Sequence, residues 1–223
     1  MRARLSVIVP TYNAAAGLPT LLGGLIEGVE TGLIRELIVS DGGSTDATAQ
    51  IADEVGALWC EGTASRGGQL RRGAGMAQGD WLLFLHADTG LPAEWAGAVQ
   101  AQMEDGRPGY FRLAFDARGA APRIVAGWAN LRSRLAHLPY GDQGLLISRA
   151  EYDAAGGYDD IPLMEDVAMA RRLGPRLCMM PMAVQTGAAR YLRGGWARRG
   201  ARNLWLLVRY LAGADPENLR RRY

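Results

Sequence analysis

The strongest constraint in this sequence is an alternation of short apolar runs with segments of helix length, sustained through the first half. Leu5–Val9, Leu37–Ser40, Ala57–Cys60 and Trp81–His86 are rich in Val, Ile, Leu and Trp and read as buried strands. Between them, Ala14–Glu30, Thr45–Val55 and Gln69–Gln78 are each long enough for a helix. Strands separated by helices form βαβ units, hence an α/β domain with a mainly parallel sheet and right-handed crossovers. Ligands of such sheets gather beyond the carboxyl ends of the strands. The second half is mixed. Gly109–Phe115, Gly144–Ser148 and Arg176–Met180 read as strands, and Arg149–Ala155 and Asp166–Leu173 as helices. The Arg-bearing segment Pro122–His137 lies between the first two of those strands, and Asp215-Pro216-Glu217 has the cap-then-proline order that opens a helix.

Composition removes several chemistries. All 25 basic residues are arginines, so Schiff-base chemistry, pyridoxal-phosphate attachment and a Walker phosphate loop, which all need lysine, are excluded. No G-x-S-x-G nucleophile elbow occurs. With His86 and His137 the only histidines and Cys60 and Cys178 the only cysteines, a clustered zinc site is excluded too. The two cysteines, each inside an apolar run, are expected to be buried, reduced thiols. No stretch approaches the ~18 apolar residues of a membrane span, and the apolar run at the N-terminus is too short for a signal-peptide core. A soluble, cytoplasmic protein is expected.

The net charge of +2 conceals an asymmetry: residues 190–223 hold nine Arg against Asp215 and Glu217, leaving +7 there and −5 in the rest. A basic tail on an acidic body suggests contact with something anionic. Nucleic acid is not expected, because no recognised binding motif accompanies the tail.

Polar residues collect where the proposed strands end. The first strand runs into Pro10-Thr11-Tyr12-Asn13, the second into Asp41-Gly42-Gly43-Ser44-Thr45-Asp46, and the fourth into His86-Ala87-Asp88. Together they would form one crevice suited to a polar ligand. Asn13, Ser44 and Asp46 also suit plain turn and cap duties. Asp41 and Asp88, each close behind a hydrophobic strand, are the stronger ligand candidates.

At these residues the chain resembles glycosyltransferase family 2, which has the GT-A fold. The resemblance rests on SVIVPTYN at 6–13, SDGGSTDAT at 40–48, FLHADTGLP at 84–92, GDQG at 141–144 and MED at 164–166, in the family's order and spacing. RGGQLRRGAGMAQGD, LHADT, PYGDQG and PLMEDV together look most like the small bacterial subgroup of radical-SAM/selenodomain-associated transferases. The resemblance implies a Rossmann-like αβα sandwich over residues 1–190, with a nucleotide-binding half at about 1–105 and an acceptor half at about 106–190. Residues 191–223 would be a basic amphipathic helical tail packed on, or extending from, that domain.

The resemblance also implies roles. Pro10, Thr11, Tyr12, Asn13 and Asp41 would hold the donor's nucleoside; the family's frequent Asp-Asp-Gly-Ser reads Asp41-Gly42-Gly43-Ser44 here, so its second acid is lost. Arg66 could grip a phosphate bidentately, and Gln69 could reach base or phosphate, at a helix whose N-terminal amides favour an anion. Arg66 could also be a solvated surface charge. His86-Ala87-Asp88 sits where the family has its Asp-x-Asp metal motif. Asp88 would hold Mn²⁺ or Mg²⁺ together with donor phosphates, and His86, in place of the first Asp, would contact the donor's ribose. Asp142, Gln143 and Glu165 would line the acceptor side, and Asp166 would be the catalytic base, although acidic residues are also good helix openers.

Trp196–Leu211 places Trp196, Leu204, Leu207, Val208 and Leu211 roughly on one helical face, with Arg198, Arg199, Arg202 and Arg209 over much of the rest. A packed amphipathic helix, peripheral attachment to the inner face of an anionic membrane, and a homodimer interface all fit. The expected function is transfer of a sugar from a nucleoside-diphosphate sugar, UDP-linked first, to a small-molecule or lipid-linked acceptor, with inversion and divalent-metal assistance. A nucleotidyltransferase of similar fold and an inactive nucleotide-sugar-binding protein are the alternatives.

Overall fold

The computed structural model describes residues 3–221. Arg222, one of the nine tail arginines, lies outside them. Seven strands form one sheet: β1 (Leu5–Thr11), β2 (Ile34–Asp41), β3 (Leu58–Glu61), β4 (Trp81–Phe84), β5 (Gly109–Phe115), β6 (Leu145–Ser148) and β7 (Cys178–Thr186), in the spatial order β3-β2-β1-β4-β6-β5-β7. Pairs β1/β2, β1/β4, β2/β3 and β5/β7 are parallel; β6 alone is reversed, antiparallel to both β4 and β5. This one reversal matters for function. The carboxyl ends of β1, β2, β4, β5 and β7 and the amino end of β6 all meet at the same edge, so residues 141–144 arrive beside the ends of the first strands. The strand order also turns at β1/β4, the crevice where open α/β sheets bind ligands.

The sheet is buried on both faces. On one side Leu5, Val7, Val9, Leu83 and Phe111 pack with α1 (Leu18–Glu30) and α4 (Trp95–Asp105). On the other Ile8, Ile38, Leu82 and Ile147 pack with α3 (Arg66–Met76), α6 (Arg149–Ala154) and α7 (Glu165–Leu173). The result is the expected αβα sandwich, closed by α2 (Thr48–Glu54) and α5 (Ala120–Ala136). Two of these helices lie where the sequence suggests no element type: α4 altogether, and α5 in the Arg-bearing segment. β7 also continues to Thr186, past the expected end at Met180.

The tail forms α8 (Ala189–Gly194), α9 (Trp196–Leu211) and α10 (Pro216–Arg220), with Asp215 capping the last by accepting from the Glu217 amide. Helix α8 straddles the boundary expected at residue 190. Leu206 and Leu207 of α9 are buried with Met164, Val167 and Leu219, which fastens the tail to the start of α7. The expected apolar face is only partly packed: Leu207 is buried while Leu204, Val208 and Leu211 are exposed, and Leu206, outside that face, is buried beside Leu207. Among the described residues no helix is long and apolar enough to cross a membrane. Cys60 and Cys178 are free thiols, as expected, but only half-buried, because they lie on the edge strands β3 and β7 of the sheet.

Candidate active site

The ends of β1 and β2 are tied to each other. Asp41 is 1% exposed, and its carboxylate accepts from the Thr11 hydroxyl (2.6 Å), the Ser44 hydroxyl (2.6 Å), and the amides of Gly43 (2.7 Å) and Ser44 (2.6 Å). Burial pushes its pKa up, but the bonds from Ser44, Thr11 and Gly43 outweigh that and hold it below the ordinary carboxylate value. Asn13 adopts a left-handed conformation (φ +48°) that lets its Oδ1 accept from the Thr45 amide at 2.9 Å while its own amide donates to Ser44 Oγ at 2.8 Å. Asp46 accepts from the Ala15 amide at 3.0 Å and from Thr48. Ser44 and Asp46 thus do serve as turn formers.

Two expectations change here. Thr11 and Asp41 point into this network instead of toward a ligand. Gln69 is buried, and its Nε2 donates to the carbonyls of Thr11 (2.6 Å) and Ser40 (3.1 Å), pinning β1 and β2 together instead of reaching outward. Pro10 is half-buried within β1, which leaves Tyr12, 61% exposed, as the accessible aromatic face at this strand end. The position of the missing second acid is tightly packed. A Cβ on Gly42 would stand 3.2 Å from Ala64 Cα and from the Gln69 amide.

The α3 N-terminus is not the open anion site its sequence suggests. Gly67 and Gly68 are required by the loop packed on them: a Cβ at Gly67 would lie 1.8 Å from the Asp159 carbonyl oxygen, and one at Gly68 2.4 Å from the Asp160 carboxylate. The Gly67 amide donates to the Ile161 carbonyl at 3.1 Å, and Ser65 Oγ donates to Asp160 at 2.5 Å. The anion at this helix end is the protein's own Asp160.

The chemistry-bearing groups converge elsewhere, around a cavity of about 280 Å³ at the β4/β6/β7 edge. His86 and Asp88 enter from the loop after β4, Asp142 from the 3₁₀ turn Gly141–Gln143 before β6, and Glu165 and Asp166 from the first turn of α7. Met164 caps α7 in a left-handed conformation (φ +69°), which turns the chain so that both acids face inward. Asp166 Oδ2 accepts from the Gly141 amide at 2.7 Å, and Oδ1 from the Val167 amide at 2.7 Å, so the carboxylate is held rigidly. Gly141 also fits against the imidazole: a Cβ there would lie 2.7 Å from His86 Nε2 and 3.6 Å from Asp166 Oδ2.

Electrostatics differ sharply within this cluster. Burial, then the positive charges of Arg66 and Arg190, hold the His86 pKa well below its usual value, so the ring is neutral at pH 7. Burial raises Asp142 to about 6, with Asp166 and Asp88 adding to it and Arg132 and Arg66 opposing; Asp142 Oδ1 is buried without a hydrogen-bond partner. Glu165, 3% exposed, is raised to about 8 by burial and by Asp166, despite the Arg66 guanidinium 3.5 Å away. Desolvation of a nearly enclosed carboxylate outweighs a single ion pair whose cation is itself part-exposed.

Gln143 departs from its expected acceptor-side role. Fully buried, it accepts from Ser133 Oγ at 2.6 Å and donates to the Phe111 carbonyl at 3.1 Å, bracing β5 and α5 behind the cavity. Conversely, Tyr140, Arg190, Arg193, Arg199 and Asn203 line the cavity although no motif points to them as ligand-binding residues. For the three arginines the signal is the +7 tail, whose arginines are read along the α9 helix alone; that β7 carries α8 back over the strand ends is a tertiary fact.

Among the described residues no three His, Cys, Asp or Glu side chains are grouped to hold a metal ion, so an all-protein cage is absent there. A hard cation that shares one carboxylate with substrate phosphates does fit. Asp88 is exposed at the cavity wall, and opposite it Gly187 leaves room, since even a Cβ there would only reach 3.5 Å from Oδ2.

Several known proteins are similar to this chain in fold or in sequence. It resembles, in fold, mannosyltransferase PcManGT from Pyrobaculum calidifontis in complex with GDP-Man and Mn²⁺ (TM-score 0.69, 21% identity, covering 97% of this chain and 67% of that one). It is likewise similar to S. aureus TarS 1-349 in complex with UDP (TM-score 0.61, 18% identity, 82% and 60%). In sequence it is 40% identical over 93 residues to a PGL/p-HBAD biosynthesis glycosyltransferase of Mycobacterium bovis (strain BCG / Pasteur 1173P2) and to one of Mycobacterium tuberculosis (strain ATCC 25177 / H37Ra). That stretch is 39% of this chain and 36% of each relative, so the chain spans about a third of the curated relatives it matches. The sequence pattern of Glycosyl transferase family 2 matches residues 6–129, more than half of the chain and nearly all of the β1-to-α5 frame that carries the first three strand-end motifs; the chain belongs to that family.

Proposed function

We propose that this protein transfers a sugar from a nucleoside-diphosphate sugar, UDP-linked first among those to test, to an acceptor hydroxyl in a single inverting displacement. The observation that carries this reading is the cavity itself. Carboxylates (Asp88, Asp142, Asp166) and guanidiniums (Arg66, Arg190, Arg193, Arg199) face one space at the strand ends, beside the exposed Tyr12 loop. A sugar diphosphate needs cationic surroundings for its leaving group and a carboxylate base for the attacking hydroxyl, and both sets are present. The liganded fold neighbours, one with GDP-Man and Mn²⁺ and one with UDP, support the same donor class.

In this mechanism Tyr12 and Asn13 meet the nucleoside, on a frame that Thr11, Asp41 and Gln69 stiffen. Arg190 and Arg193, from α8, face the departing diphosphate where negative charge develops. Neutral His86 can donate or accept a hydrogen bond at the donor's ribose without adding charge. Asp88 is the residue that would hold Mn²⁺ or Mg²⁺, which when bound supplies further neutralisation of the diphosphate. Asp166, fixed by the Gly141 and Val167 amides, takes the acceptor proton. Glu165 stands beside Arg66 at the cavity wall, and Asp142 faces the acceptor.

A thermal-shift screen of UDP, GDP and dTDP, each with and without Mn²⁺, tests the donor assignment. Saturating one of them about a hundredfold above its Kd should raise Tm by roughly 5–10 °C, with a larger shift in Mn²⁺. No shift with any nucleoside diphosphate would remove the reading.

A further inference from the structure

Helices α5 and α9 lie side by side and leave a large apolar surface open. On α5, Ile124, Trp128, Leu131 and Leu135 are 69%, 54%, 46% and 70% exposed, at a spacing that puts all four on one stripe. On α9, Leu204, Val208 and Leu211 repeat the pattern at 42%, 56% and 43% exposure. The two stripes flank one groove, bordered by Trp128 of α5 and Leu204 of α9. Helical geometry places exposed arginines on the outer margins, Arg123 and Arg134 beyond the α5 stripe and Arg198, Arg202 and Arg209 beyond the α9 stripe.

The charge pattern selects among occupants. Of the arginines in residues 117–141 and 187–214, Arg123, Arg134, Arg198, Arg202 and Arg209 lie on these margins, and neither segment contains a single Asp or Glu. A symmetric dimer through this face would set arginine margins against themselves, since such an interface pairs one patch with its own copy. An apolar strip with basic margins and no acid matches a bilayer surface, where acyl chains accept the strip and anionic headgroups meet the arginines. We infer that the α5–α9 face docks this protein on an anionic lipid bilayer, with Ile124, Trp128, Leu131, Leu135 and Val208 entering the headgroup layer. The docking stands apart from the assignment of the reaction. Its orientation is nevertheless informative, because the groove it covers is also lined by Asp142 of the active-site cavity.

Co-sedimentation of the full chain tests this with two vesicle types, pure phosphatidylcholine and an equal mixture of phosphatidylcholine with phosphatidylglycerol. The protein should pellet with the mixed vesicles at low salt, stay in solution with phosphatidylcholine alone, and dissociate as salt rises. Arg134→Gln and Arg209→Gln should each weaken partitioning roughly fivefold, the value of about one headgroup-layer charge. Ile124→Gln combined with Leu135→Gln should weaken it by about tenfold or more through lost apolar insertion. Both positions are mostly exposed, and unchanged circular dichroism and Tm confirm an intact fold. Equal binding to both vesicle types, no binding at low salt, or indifference to the Ile124/Leu135 pair would overturn the proposal. A dimer in sedimentation velocity that the same pair dissolves would overturn it in favour of self-association.

Discussion

Replacing Asp142 by Asn should make the protein more stable at neutral and alkaline pH, and the gain should disappear in acid. The carboxyl group is pushed from an ordinary 3.8 up to about 6, chiefly by burial, and its Oδ1 has no hydrogen-bond partner. A folded-state pKa above the unfolded one means that stability is full below the unfolded value and is lost as pH rises through the folded value. A rise of that size corresponds to about 3 kcal/mol once the group is ionised in both states. That figure already includes the attraction of Arg132 and Arg66, which oppose the rise. Asn keeps the shape and removes the ionisation. Urea denaturation of both proteins across the acid-to-alkaline range measures the difference directly. The two should be equally stable near pH 3, with the Asp142→Asn variant ahead by about 2–3 kcal/mol near pH 8. A difference that does not change with pH, or a wild type that is the more stable near pH 8, would refute the reasoning.

Three further outcomes follow from the same geometry. Asp88→Ala should abolish the Mn²⁺-dependent part of nucleoside-diphosphate binding in calorimetry; equal affinity of variant and parent in Mn²⁺ would show that the carboxylate holds no metal. Arg190→Gln should weaken nucleoside-diphosphate binding by about tenfold or more, the scale of one charge-assisted hydrogen bond. It should also raise the His86 pKa seen by NMR, because Arg190 is one of the charges that depress it. Gln143→Ala should destabilise the fold by about 1–3 kcal/mol, since the Phe111 carbonyl loses a buried partner while the Ser133 hydroxyl keeps the Ala129 carbonyl. The folded Gln143→Ala protein should bind donor normally, and loss of binding with stability intact would return Gln143 to the site.

The parts of this molecule legible in the sequence are those fixed by local pattern. Val7–Val9 and Leu82–Phe84 announce buried strands because parallel strands covered on both faces have no polar side. Asp88, Asp142, Glu165 and Asp166 stand out as acids at strand or helix ends, and the fold brings them to one cavity. What stays hidden depends on which way a side chain turns. Asp41 and Gln69 sit in ligand-like positions along the chain, yet their partners are other groups of the β1 and β2 ends, half of those bonds spanning tens of residues. The Gly67-Gly68 pair resembles an anion loop because glycine permits close approach, and the sequence does not say that the approaching group is the chain's own Asp159–Ile161 loop. Arg190 and Arg193 lie beyond the recognisable motifs, and only the full length of β7 brings them to the cavity that Asp88 lines.

If the cavity at the β4 edge and the start of α7 transfers sugar, its base can be removed without disturbing the donor. Asp166→Asn keeps the size of the side chain and can keep one of its two bonds from the Gly141 and Val167 amides, and it removes the proton acceptor. The decisive measurement is nucleoside-diphosphate release from UDP- and GDP-sugars with Mn²⁺, by parent and Asp166→Asn, alongside the donor Kd of each. Release by the parent should fall by at least ~10²-fold in the variant while Kd stays near its parental value. Tight donor binding by the parent with no release from any nucleotide sugar, or an Asp166→Asn variant as fast as its parent, would contradict a sugar-transferring site at this position.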